Sequence, residues 1–284
     1  MTGVRLAAFD LDGTLLEHGA LTRRAVRMLQ TLRQNGIKVV IATGRHRGTV
    51  PPRLHDPRLV DYLICSCGAV ICAPGGEALW ERTLSAEDLK ALMALGQPFR
   101  CTYAVSLGRT TFLSRQEPLR RQKTDGGSDT KKYFWRYWMY PLHSRRLDLS
   151  WAQIADRPQF TAEKVLCATE RQEDDLLFRA AAEADGRFTA TGSNRTAEIT
   201  ARGVSKGNAL RLLAQRLNVP REAIAAFGND DNDLSLQAAA GRFIVPKVSS
   251  PAALLAADRV VDSIPAAALE LCIPAEGREA KQTW

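Results

Sequence analysis

Two rhythms of apolar and polar positions alternate along this chain. Residues 4–9 form a largely apolar run that stops at Asp10. Leu21, Ala25, Met28, Leu29 and Leu32 then recur at spacings of three and four, which predicts an amphipathic helix. Thr22 is placed to cap its start and Gly36 to end it. Residues 37–42 and 60–65 read as two further strands. Strand, helix and strand in this order imply a βαβ unit and a parallel sheet.

The last third repeats that rhythm. Residues 206–217 read as a helix with Leu210, Leu213 and Leu217 on one face. A strand at 223–227, a helix at 234–240 closed by Gly241, a strand at 242–245, a helix at 251–257 and a strand at 259–261 follow. The middle differs. Residues 85–95 predict a helix capped by Ser85, with Asp88 completing the cap. Residues 100–105 and 110–113 read as strands around Leu107–Gly108, 116–132 as a polar loop, 164–168 as a strand, 170–184 as a helix and 187–191 as a strand. The expected fold is therefore α/β, a Rossmann-like parallel core carrying an inserted α+β domain. The core takes residues 1–82 and 192–273, the insert 83–191, and a tail 274–284.

A length of 284 residues accommodates two modest domains. With 45% hydrophobic and 25% charged residues the chain has ordinary globular composition. The six cysteines form no Cys-x-x-Cys pair, which argues against a zinc site. No apolar run is long enough for a signal peptide or a membrane span, so the expected compartment is the cytoplasm. The net charge of +8 favours anionic partners, but its location matters more. Between residues 109 and 146 ten Lys or Arg face three acids, so nearly all the excess lies in the insert. There, Tyr133–Tyr140 reads YFWRYWMY. Trp135, Arg136 and Trp138 could stack on a substrate above a phosphate site, or bind single-stranded nucleic acid, or simply fill a small core.

Candidate chemistry clusters where strands end. Asp10-Leu11-Asp12-Gly13-Thr14 follows the first strand. Two carboxylates there can hold a hard divalent cation, or divide nucleophilic and proton-transfer work. Thr43-Gly44-Arg45 follows the second strand and offers a hydroxyl, an open amide and a guanidinium to a phosphate. Lys206 opens a helix, where the dipole disfavours a cation. Gly228-Asn229-Asp230-Asp231-Asn232-Asp233 crowds oxygen donors at the end of a later strand.

In this order the four sites resemble the haloacid dehalogenase-like (HAD) hydrolase superfamily. The position of the insert, and Glu198-Ile199 before Gly203-Val204-Ser205-Lys206-Gly207, resemble the Cof-type sugar-phosphate phosphatases with a C2-type cap. The resemblance implies a Mg²⁺-dependent phosphatase of a small phosphorylated metabolite. Asp10 would be the nucleophile that becomes an aspartyl-phosphate, and Asp12 the general acid and base. Thr43, Gly44, Lys206 and Asn232 would hold phosphate. Asp10, Asp12, Asn229, Asp230 and Asp233 would supply the metal site, with Arg45 near the substrate. Two departures stand out: Asn229 occupies the position of a motif aspartate, leaving the metal role open between Asn229 and Asp230, and Cys67 stands where many relatives have Asn. A phosphotransferase or mutase using the same intermediate is the alternative enzyme reading, and nucleic-acid binding through the basic insert the non-enzymatic one.

Overall fold

The structure, a computed structural model, describes residues 3–17, 19–118, 143–157, 159–193 and 195–273. In chain order its strands are β1 (Leu6–Phe9), β2 (Lys38–Ala42), β3 (Tyr62–Cys65), β4 (Val70–Cys72), β5 (Ala78–Glu81), β6 (Thr102–Leu107), β7 (Thr110–Ser114), β8 (Ser144–Leu147), β9 (Lys164–Ala168), β10 (Phe188–Ser193), β11 (Thr196–Ala201), β12 (Ile224–Phe227), β13 (Arg242–Pro246) and β14 (Arg259–Val261). They form two sheets, one of eight strands ordered β14-β13-β12-β1-β2-β3-β4-β5 and one of six ordered β10-β11-β9-β6-β7-β8.

The chain divides into two units. The first takes the described residues of 1–44, 50–80 and 205–284, and the second those of 45–49 and 81–204. In the first, β14 through β3 pair in parallel, as the βαβ rhythm requires. The central strands are buried on both faces and read accordingly as unbroken apolar runs: LAAF in β1 and IAAF in β12. β4 turns back antiparallel to β3. The helix Arg23–Gln34 begins on the Thr22 cap, whose side chain accepts from the Ala25 amide, and buries Ala25, Val26, Met28, Leu29 and Leu32.

The second unit is an α+β layer of largely antiparallel strands. Its helix Ala86–Gly96 starts with the Ser85–Asp88 capping box expected from sequence. One expected boundary shifts. The sequence pattern ends the insert 83–191 before β11, but β11 pairs with β10 along its whole length and with β9 on its other edge, so the second unit continues through Val204. Residues 45–49 also belong to it. Among the described residues no helix is long and apolar enough to cross a membrane.

One close approach fixes the end of the core that carries polar groups. Gly207, near the start of the helix Lys206–Arg216, packs so tightly on the helix Leu234–Ala239 that a Cβ there would lie 1.8 Å from the Ser235 carbonyl oxygen. The Gly207 amide also donates to Ser235 Oγ, 3.1 Å away. Backbone cannot yield as a flexible side chain can. Gly207→Ala should therefore lower stability by about 1–3 kcal/mol, although alanine is the better helix former. Urea denaturation reads this as a lower midpoint at unchanged slope, and an equal or higher midpoint would contradict it.

Candidate active site

Strand pairing brings the first and fourth motifs together. β1 and β12 are neighbours in register, Phe9 opposite Phe227, and the two rings stack at 4.6 Å between centroids. The next residue on each strand, Asp10 and Gly228, therefore leaves the sheet at the same end. The Asp10 amide donates to the Phe227 carbonyl, 2.9 Å away. Beyond Asp10 the chain turns at Gly13, whose φ of +88° suits glycine. A Cβ at Gly13 would lie 2.5 Å from Asn229 Nδ2, so the Asn229 side chain sits directly on this turn. Thr14 Oγ1 donates to Asn229 Oδ1 at 2.8 Å, a link between the two motifs.

Lys206 joins the third motif to both. Its side chain is 2% exposed. Nζ donates to Asp10 Oδ1 at 2.7 Å, to Asp233 Oδ1 at 2.7 Å and to Asn232 Oδ1 at 3.1 Å, which uses all three ammonium protons. Asp233 is fully buried, and its second oxygen accepts from the Asn229 and Asp230 amides at 2.9 and 3.1 Å. One carboxylate thus anchors the lysine with one oxygen and shapes the loop with the other. Asp230 caps that loop, its Oδ1 accepting from the Asp231 amide.

The second motif follows β2, the strand on the other side of β1. Thr43 is fully buried, its amide donates to Ile64 O, and its carbonyl accepts from the Cys67 amide. Cys67 itself is buried and left-handed, with φ +58°. Asparagine adopts that region far more readily than most non-glycine residues.

The structure thus gathers Asp10, Thr14, Lys206, Asn229, Asn232 and Asp233 by direct contacts, with Asp12 half-buried in the same turn. Asn232, expected beside phosphate, contacts Lys206. Arg45 clusters with the second unit, where Nη1 donates to the Thr49 carbonyl. Trp135, Arg136 and Trp138 lie outside the described residues. The contribution of Thr14 was legible only as the last letter of the Asp-x-Asp-x-Thr pattern. That of Ser235 had no sequence signal.

The charges are strongly coupled. Burial pushes the Asp10 carboxyl up to about 7, aided by Asp233 and Asp12 and opposed by Lys206. Burial alone would lower the Lys206 ammonium, but Asp10 and Asp233 outweigh it and hold the group well above its ordinary value. Two carboxylates thus contact the one ammonium and a third, Asp12, acts on Asp10, an imbalance that a divalent cation would relieve. Among the described residues no three His, Cys, Asp or Glu side chains converge as a ready metal cluster. The donors that do adjoin the Asp10–Thr14 turn are all oxygens once the Asn229 amide is counted, and hard oxygen donors fit Mg²⁺.

The raised Asp10 value has a signed consequence. Between its ordinary 3.8 and about 7 the folded protein binds more protons at this group than the unfolded chain, so stability falls as pH rises through that window. In metal-free buffer at pH 8, Asp10→Asn should be more stable than the wild type by at least about 1 kcal/mol, with the gap closing toward pH 4. Thermal melts across pH check this, and a variant less stable at pH 8 would contradict it.

Residues 7–269 match the family described as haloacid dehalogenase-like hydrolase. An HMP-PP phosphatase of Yersinia pseudotuberculosis serotype O:1b (strain IP 31758) is 29% identical over 254 residues, covering 85% of this chain and 83% of that one. Among solved structures, a haloacid dehalogenase-like hydrolase from B. subtilis superposes with a TM-score of 0.76 at 20% identity, over 94% of this chain and 99% of that one. A HAD subclass IIB sugar phosphatase gives a TM-score of 0.72 at 19% identity, over 93% of this chain and 96% of that one. Since the family match runs from the first core strand through the last core helix, taking in all four strand-end motifs, this chain belongs to the haloacid dehalogenase-like hydrolases.

Proposed function

We propose that this hydrolase is a Mg²⁺-dependent phosphatase of a small phosphorylated metabolite, working through an aspartyl-phosphate on Asp10. The observation that carries the reading is the buried Lys206 ammonium held between Asp10 and Asp233, at the ends of elements that also present Asp12 and Thr43. Phosphoryl transfer needs chiefly positioning and neutralised charge, and this constellation supplies both. The similarity to an HMP-PP phosphatase and the shared fold with a sugar phosphatase support the same class of substrate.

The residues divide the work as follows. An Asp10 carboxylate oxygen attacks phosphorus while the bond from phosphorus to the leaving oxygen breaks. Asp12, half-exposed one residue beyond the nucleophile, gives its proton to that oxygen. Asp12 then takes a proton from water as the water attacks phosphorus, which releases phosphate and restores the Asp10 carboxylate. Lys206 withdraws charge from Asp10 and from the phosphoryl oxygens, and Asp233 keeps the lysine in place. The Thr43 hydroxyl and the Gly44 amide hold the other phosphoryl oxygens. Mg²⁺ would be held by the Asp10 carboxylate, the Asp12 carbonyl and Asn229 Oδ1, and it supplies neutralisation of the transferring group's charge. Asn229 rather than Asp230 takes this place because its side chain lies on the Gly13 turn, whereas the Asp230 carboxylate caps its own loop. Asp233 contributes indirectly, through Lys206 and the loop amides. Residues 81–204, with 45–49, would form the cap that selects the metabolite.

Phosphate release from p-nitrophenyl phosphate tests the reading. Wild-type turnover should require Mg²⁺, and Asp10→Asn should lose about 10³-fold or more. Asp12→Ala should lose about 10²–10⁴-fold through the lost proton transfer. Turnover unchanged in Asp10→Asn would sink the proposal. HMP-PP and sugar phosphates are the first substrates to rank by kcat/KM.

A further inference from the structure

His46 lies in the second unit, in the five-residue segment 45–49. Its side chain is 95% buried, being 5% exposed. The Gly48 amide donates to Nδ1 at 3.2 Å, so Nδ1 is the unprotonated nitrogen and the neutral ring carries its proton on Nε2. Nε2 is buried and has no hydrogen-bond partner among the described residues. The orphan is therefore a donor, and what it lacks is an acceptor.

Its surroundings say what kind of acceptor. The turn that carries His46 packs on the β6–β7 turn. A Cβ at Gly48 would lie 2.3 Å from the Arg109 carbonyl oxygen and 3.0 Å from His143 Nδ1. The His143 ring stands edge-on to His46 at 6.4 Å. Glu163, 1% exposed, accepts from the Gly108 amide at 2.9 Å and from Arg47 Nη2 at 3.4 Å, tying the two turns together. Lys164, the next residue, pairs with Glu198. Burial, then Lys164, His143, Arg109 and Arg47, hold the His46 imidazole down at about 3, so it stays neutral near pH 7. Both nearby acids are occupied with partners of their own, while Arg47, Arg109, Lys164 and His143 lie around a buried N–H that has none among the described residues.

We propose that this cluster is an oxyanion site within the second unit, in which His46 Nε2–H donates to a phosphate- or carboxylate-type oxygen and Arg47, Arg109 and Lys164 supply the positive field. A buried donor in a cationic environment is poorly served by a cation or an apolar group and well served by an anion. The anion can be a second charged group on the metabolite or free inorganic phosphate; the chemistry is the same. The site does not depend on the Asp10 reading, because its primary readout is binding.

With four histidines in the chain, imidazole NMR resolves the site directly. Titration of the wild-type protein with inorganic phosphate should move the His46 Nε2–H resonance saturably, and the His143 resonance with it. Followed at His143, phosphate affinity should fall about tenfold or more in His46→Phe, which removes the donor, and recover substantially in His46→Gln, which restores one. The source follows from a ratio, kcat/KM for a substrate with two anionic groups over that for a substrate with one. A substrate-borne anion predicts a ratio about tenfold lower in His46→Phe; free phosphate predicts an unchanged ratio alongside the lost binding. A His46 resonance unmoved by phosphate, or equal affinity in His46→Phe and the wild type, overturns the proposal and leaves a buried water as the partner of Nε2.

Discussion

A lysine ammonium taken out of water survives as a cation only if each of its protons finds an oxygen and its charge finds a counter-charge. Lys206 meets both demands with Asp10, Asp233 and Asn232. Those three residues come from two strand ends about 220 positions apart in the chain, and the lysine from a third element. The contacts exist only because β1 and β12 are adjacent and in register, and because Gly207 lets two helices approach to backbone contact. Much of the core's architecture can be read as the means of delivering three groups to one ammonium. Removing the lysine would leave two buried carboxylates unpaired, a change of the kind that costs about 3–5 kcal/mol.

The same interaction sets the chemistry at some cost to stability. Asp10 is kept in a buried place where its ionised form is disfavoured, next to two other acids and one cation. A chain selected for stability alone would not place three carboxylates there. The left-handed Cys67 beside Thr43 adds backbone conformational cost at the same end of the sheet. Such departures from local preference are expected where a site has to be held open for a charged ligand.

Much of this was legible in the sequence, for physical reasons. Apolar runs such as LAAF and IAAF announce strands buried on both faces, and Thr22 and Ser85 announce helix starts because their side chains can take an orphan amide. Asp10, Lys206, Asn232 and Asp233 were legible as a group through the order of their motifs, since no single one is distinctive. The hand-over at β11 was not legible. TAEITA alternates only weakly, and its place in the second sheet is fixed by pairing with β9 and β10 rather than by its own pattern. Nor does the sequence show that the Asn229 side chain lies on the Gly13 turn, where the missing Cβ leaves room for its amide. The short strand β5 is largely exposed, so its apolar signal is faint. His46 belongs to no motif in the sequence, and only the partner of Nδ1 and the lack of one for Nε2 among the described residues give it meaning.

In the proposed reaction the carboxylate held by Lys206 takes the phosphoryl group. Acid quenching of the enzyme within its first turnovers on a phosphomonoester, followed by peptide mapping, tests it most directly. A phosphoryl adduct should appear on Asp10 and be absent in Asp10→Asn. An adduct on any other residue, or turnover with no protein-bound phosphoryl group at any quench time, would contradict it.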